Sequence, residues 1–100
     1  MNALLLDSSD KNLTVALAMD GKIDEISYPA WQRQSELMVQ EIDNLFARNG
    51  FDKKDLDCVV CSRGPGSYTG VRIALSIAKT IVFALRIPLY LASSLEVLKD

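Results

Sequence analysis

An α/β fold built on a five-stranded mixed sheet is what this sequence predicts, and three observations predict it. At the N-terminal end a short apolar run, a segment rich in strand formers and a returning segment after a tight Asp-Gly turn make the pattern of an antiparallel meander. Two further strand-like runs each follow a helix-like segment, which calls for crossover connections and parallel pairing. The 100 residues, 49% hydrophobic and 24% charged, supply one domain's core and too little chain for two.

The first strand is Ala3 to Leu6, a continuous apolar run that ends at Asp7, as in a central strand buried on both faces. Leu13 to Met19 is rich in strand formers, Asp20-Gly21 supplies a tight hairpin turn, and Lys22 to Tyr28 returns. Pro29 ends the meander. From Gln34 or Ser35 to Asn49, Met38, Ile42, Leu45 and Phe46 fall on one helical face, and Gly50 caps the C-terminus. Leu56 to Cys61 is the fourth strand, Ser62 to Gly70 is turn-rich, Val71 to about Arg86 is a long helix, and Pro88 to Ala92 is the fifth strand. Ser93-Ser-Leu-Glu96 has capping-box spacing, so a third helix is expected to begin there and to be cut short at Asp100.

Composition removes several kinds of chemistry. The sequence contains no histidine, so Ser-His-Asp and Cys-His catalysis are out. Cys58 and Cys61 make a C-x-x-C, but a zinc site needs about four ligands, and the sequence holds neither a second cysteine pair nor a histidine. On a strand their α-carbons stand about 10 Å apart, beyond the roughly 7 Å reach of a disulfide. Buried, reduced thiols are therefore expected. The net charge of −2 gives no general field for nucleic acid or acidic membranes. The N-terminal run lacks a basic flank, and Arg72, Lys79 and Arg86 break the most apolar stretch, so a cytoplasmic protein with no membrane span is expected.

Two clusters carry candidate chemistry. Gly64-Pro-Gly-Ser-Tyr-Thr-Gly70 joins a strand to a helix, and its glycines free the backbone for close approach. Amides at the start of the next helix favour phosphate or carboxylate there, with Arg63 and Arg72 flanking, yet a purely structural turn accounts for the loop equally well. No Lys-Ser or Lys-Thr follows the last glycine, so it is not a Walker loop. Asp7-Ser8-Ser9, after the first strand, stands where phosphate or magnesium is handled in folds with a first-hairpin loop; a turn is the plainer reading. The helix from Val71 to Ile87 has twelve apolar residues in seventeen, more than one sheet face can cover. Either the helix from Ser35 to Asn49 packs over the surplus or a partner does. Tyr28 and Trp31, beside Pro29, form an aromatic contact or close the sheet edge.

Arg63-Gly-Pro-Gly-Ser-Tyr-Thr-Gly-Val-Arg72, with Leu4-Leu-Leu-Asp-Ser-Ser9, resembles the TsaB (YeaZ-like) family, and Gln34-Ser-Glu-Leu37 and Ser93-Ser-Leu-Glu96 extend the likeness over nearly the whole chain. The resemblance implies the N-terminal lobe of an actin-like ATPase (ribonuclease H-like) fold, its three-strand meander extended by two parallel strands. It also implies a non-catalytic partner of a TsaD-type synthase, which with a TsaE-type ATPase transfers threonylcarbamoyl to the adenosine next to the anticodon of tRNA. No cofactor or metal is then expected, and tRNA is met only indirectly. Many members carry His where this chain has Gln34, and members normally have two lobes, of which this sequence spans the first.

In the family, helices of this lobe pair with the synthase or with a second copy. The expected helical interface is Met38, Ile42, Ala74, Ile77, Ala78, Ile81 and Ala84, and Arg at Ala78 or Ala84 is expected to abolish association and spare the fold. The junction loop comprises Asp7, Ser8, Ser9, Arg63, Gly64, Pro65, Gly66, Ser67, Thr69 and Gly70. The rival reading is a nucleotide-binding actin-like lobe that uses those residues on phosphate. A metallopeptidase, suggested by distant relatives, fails for want of ligands.

Overall fold

The computed structural model describes residues 1–8, 12–30, 33–62 and 68–92, with the side chains of 68–71 left aside. Five strands form one sheet in the order β3-β2-β1-β4-β5, where β1 is Ala3–Ser8, β2 Asn12–Met19, β3 Lys22–Pro29, β4 Cys58–Ser62 and β5 Leu89–Ala92. β1 pairs antiparallel with β2 and β2 with β3, whereas β1 with β4 and β4 with β5 are parallel. The meander extended by two parallel strands is as the sequence implied. Met19 pairs with Lys22 across Asp20-Gly21, and Gly21 at φ +73° takes the left-handed conformation that such a turn requires.

Two helices complete the described fold, α1 over Gln34–Arg48 and α2 over Tyr68–Leu85. Both pack on one face of the sheet. Leu4, Leu6, Leu13, Val15, Leu17, Val59 and Cys61 meet Met38, Ile42, Leu45, Ala74 and Ala78 there in a single buried cluster. The period of two along each strand sends Leu5, Ala16, Cys58 and Val60 to the opposite face, where they form a smaller cluster. Cys58 and Cys61, three residues apart, thus lie on opposite faces, and both are free and buried, as expected.

α1 ends in a Schellman motif: the Gly50 amide donates to the Ala47 carbonyl at 3.2 Å and the Phe51 amide to the Phe46 carbonyl at 2.9 Å. Gly50, at φ +59°, supplies the left-handed residue, and the Phe46 and Phe51 rings meet at a tilt with centroids 5.4 Å apart. α2 ends the same way without a glycine. The Ile87 amide donates to the Val82 carbonyl at 3.1 Å, and Arg86 is held at φ +57°.

Several boundaries differ from the sequence reading. β1 continues through Asp7 and Ser8, which pair with Thr14 and Leu13, because the backbone ladder runs on past the last apolar side chain. α2 starts at Tyr68 rather than Val71, so Thr69 and Gly70 lie in its first turn instead of the loop. There the amides lack intrahelical partners in any case, so glycine breaks nothing. A 3₁₀ turn at Lys53–Asp55, capped by the Asp52 side chain, delays β4 to Cys58. The expected third helix, Trp31, Ser9 and residues 63–67 lie outside the described residues.

Candidate functional site

Two places gather the residues singled out in the sequence. The first is the C-terminal end of the parallel strands. Pairing of Leu6 with Cys61 brings Ser8 at the end of β1 and Ser62 at the end of β4 to the same edge, and both are buried. Ser8 Oγ finds no hydrogen-bond partner among the described residues. Burial pushes the Cys61 thiol up to about 11, and the nearby Asp7 carboxylate adds to the rise. The first turn of α2, with Thr69 and Gly70, follows this edge after the residues 63–67. Of the ten positions in the expected junction loop, Asp7 and Ser8 thus belong to a strand and Thr69 and Gly70 to a helix. Ser9, Arg63, Gly64, Pro65, Gly66 and Ser67 lie outside the described residues. Among the described residues, no three histidines, cysteines or carboxylates come together as metal ligands.

The second place is the outer surface of the helical layer. Met38, Ile42, Ala74 and Ala78 belong to the chain's own core, and Ala78 has 0% exposure. That corrects the expectation for Ala78, whose replacement by Arg would strike the fold itself. The alanines are small because α2 lies close against β1 and β4. Ile77 and Ile81 are half-buried and Ala84 is exposed. The residues that reach outward were missed among the interface positions: Phe83, 88% exposed on α2, and Val39, 50% exposed on α1. The signal for Phe83 was legible, since it falls among Ser76, Lys79, Thr80 and Arg86 on the polar side of the helical wheel. Between the helices, Val39, Ile77 and Ile81 line an apolar groove of about 350 Å³, edged by Asp43, Ser76 and Thr80.

A polar clasp holds α1 to the edge strand β3 and so fixes this surface. The Tyr28 hydroxyl donates to Glu41 at 2.6 Å, and Asn44 donates to the same carboxylate at 2.7 Å. Arg48 Nε donates to Asp24 at 2.6 Å, and the Asn49 amide adds a bond to Asp24 at 2.8 Å. The Arg48 guanidinium beside Asp24 holds its carboxyl at about 2, with Asn49 contributing. Desolvation, then the bond to Glu41, pushes the Tyr28 phenol up to about 12. Tyr28 thus faces inward onto α1.

Comparison with known proteins agrees with this architecture. A family profile described as TsaD, tRNA N6-adenosine threonylcarbamoyltransferase, matches residues 28–99. The tRNA threonylcarbamoyladenosine biosynthesis protein TsaB of Bacillus subtilis (strain 168) is 35% identical over 98% of this chain and 43% of its own length. Its namesake from Haemophilus influenzae is 32% identical over 95% of this chain and 40% of its own. The chain therefore spans less than half the length of these relatives. Among solved structures, YeaZ from Pseudomonas aeruginosa superposes with a TM-score of 0.90 at 28% identity, covering 98% of this chain and 46% of that one. Thermus thermophilus RuvC, at 12% identity and TM-score 0.62 over 99% of this chain and 68% of its own, shares the fold alone. The fold is accordingly an actin-like, ribonuclease H-like lobe.

Proposed function

The chain belongs to the TsaB (YeaZ-like) family, and from that membership we propose that it serves tRNA threonylcarbamoyladenosine biosynthesis as a non-catalytic lobe that docks a TsaD-type synthase. The observation that carries the reading is the outer surface of α1 and α2, where Val39 stands exposed on the wall of an apolar groove and Phe83 stands exposed near the end of α2. A large aromatic left almost wholly in water on a helix with so apolar a sequence marks an interaction surface. In this reading residues 1–100 act as a single actin-like lobe in the cytoplasm. The TsaE-type ATPase joins the same assembly, and tRNA is met through the synthase. The lobe shapes its partner and leaves the transfer chemistry to it, in keeping with a sequence that has no histidine base.

Light scattering behind size exclusion, on the chain alone and mixed with the TsaD-type protein of the same source, tests this. A stable mixed species of the summed mass is expected; separate elution at micromolar concentrations counts against it. Self-pairing through the same helices would appear as a dimer in the unmixed run.

One observation favours a second reading, a nucleotide-binding lobe. Ser8 Oγ is buried without a partner at the strand edge that precedes the first turn of α2, where backbone amides and the helix dipole favour an anion. Titration with magnesium and ATP decides: saturable binding that Asp7→Ala abolishes would establish it, and flat calorimetry would dismiss it.

A further inference from the structure

Of the four asparagines in the chain, Asn49 alone precedes a glycine. With no side chain on the next residue, the Gly50 nitrogen has an open approach to the Asn49 carboxamide, the setting in which asparagine most readily loses its amide. The end of α1 holds the reacting atoms apart. At φ −99° and ψ 0° the Gly50 nitrogen eclipses the Asn49 amide nitrogen instead of Cβ, where ring closure needs it. The Gly50 amide proton is engaged by the Ala47 carbonyl at 3.2 Å. Asn49 Nδ2 donates to Asp24 at 2.8 Å and to the Leu45 carbonyl at 2.8 Å, which uses both of its hydrogens. Asp24 is itself fixed by Arg48 Nε at 2.6 Å. Gly50 is exposed and Asn49 half-buried, so water reaches the pair once these bonds part.

We propose that Asn49 is a deamidation site latched by the clasp between β3 and α1. When the last turn of α1 opens, the Gly50 nitrogen gives up its proton to solvent base and attacks the Asn49 Cγ. The N–Cγ bond forms, the Cγ–Nδ2 bond breaks, and Nδ2 takes a proton and leaves as ammonia. Water then adds to either carbonyl of the succinimide and opens it to aspartate or isoaspartate; nothing is oxidised or reduced. Neither product restores the latch. Aspartate at position 49 sets a carboxylate oxygen, an acceptor, against the Asp24 carboxylate and the Leu45 carbonyl, which are acceptors too. Isoaspartate carries an extra backbone carbon that moves the Gly50 amide off the Ala47 carbonyl. Opening a helix end costs less than unfolding the domain, so a local and reversible event is converted into a permanent release of α1 from β3.

The test is incubation of the folded chain in mildly alkaline buffer, with peptide mass spectrometry of position 49, for wild type, Asp24→Ala, Arg48→Ala and Val60→Ala, and for wild type in urea. Circular dichroism checks each fold. Val60 lies on the opposite face of the sheet, so its variant lowers stability without touching the clasp. Conversion at Asn49 is expected to be slower in the folded wild type than in urea by about tenfold or more. Asp24→Ala and Arg48→Ala, which open the clasp from either side, are expected to speed it about threefold or more while Val60→Ala stays near wild type. Folded wild type that converts as fast as in urea overturns the inference, and so do clasp variants that convert no faster than wild type. Equal acceleration by Val60→Ala overturns it too, because global unfolding would then be the route. The converted chain, separated by ion exchange, is expected to melt several degrees below its parent; an unchanged midpoint overturns the claim that the latch stays open.

Discussion

Arg86 shows what one residue contributes at the end of a helix. It holds the left-handed conformation at φ +57° so that the Ile87 amide reaches the Val82 carbonyl, a position where Gly50 serves α1. A side chain in that region costs on the order of 1 kcal/mol, and Arg86→Gly is expected to raise the thermal midpoint by about 4 °C. At the cysteines, burial raises both thiols, Cys61 to about 11. Neither is expected to react with iodoacetamide at pH 8 until the chain unfolds; a labelled native protein would contradict their placement. The sequence foretold this much, because strand spacing alone keeps the two sulfurs apart. It did not foretell that Asp7 and Ser8 sit inside a strand, since a polar side chain after an apolar run looks like a strand's end while the backbone ladder continues.

At the scale of elements, the clasp between β3 and α1 makes stability depend on pH at both extremes. Asp24, held at about 2 by Arg48, stabilises the fold fully above its unfolded value near 4. That contribution is lost as pH falls from about 4 to 2, and Asp24→Asn is expected to flatten this acid limb in thermal scans. Tyr28 runs the other way: its phenol, raised to about 12, contributes fully below pH 10 and loses that contribution as pH rises from 10 to 12. Tyr28→Phe is expected to cost about 1.5 kcal/mol at neutral pH and to abolish the alkaline limb. The helices also separate core from surface. Ala78→Arg buries a charge without a partner, a loss of about 3–5 kcal/mol, and is expected to unfold a marginal domain. Phe83→Ala should move stability by no more than about 0.5 kcal/mol. The apolar surplus of α2 was legible from its composition; its division between the chain's own core and the outside was not. A helical wheel gives the directions of side chains and leaves open which of two apolar sides the sheet takes, and small alanines mark close packing as readily as a contact.

For the whole molecule, sheet order and strand directions follow from a meander joined to two crossover units, which is why the fold was readable from turns and periodicity. The function is read from a surface. With both described helices on one face of the sheet, exposed Phe83 on α2 and Val39 beside the groove between the helices point away from the core. Because the native thiols are buried, a cysteine placed on this surface is the one fast-reacting thiol of the described structure. The alkylation rates of Phe83→Cys and Thr80→Cys, with Ser27→Cys on exposed β3 as the control, should therefore be measured with and without the TsaD-type protein. Protection of about tenfold or more at 80 and 83, with 27 unchanged, is the expected result. A mixed complex in which 80 and 83 react as fast as in the free chain would contradict the assignment of this face.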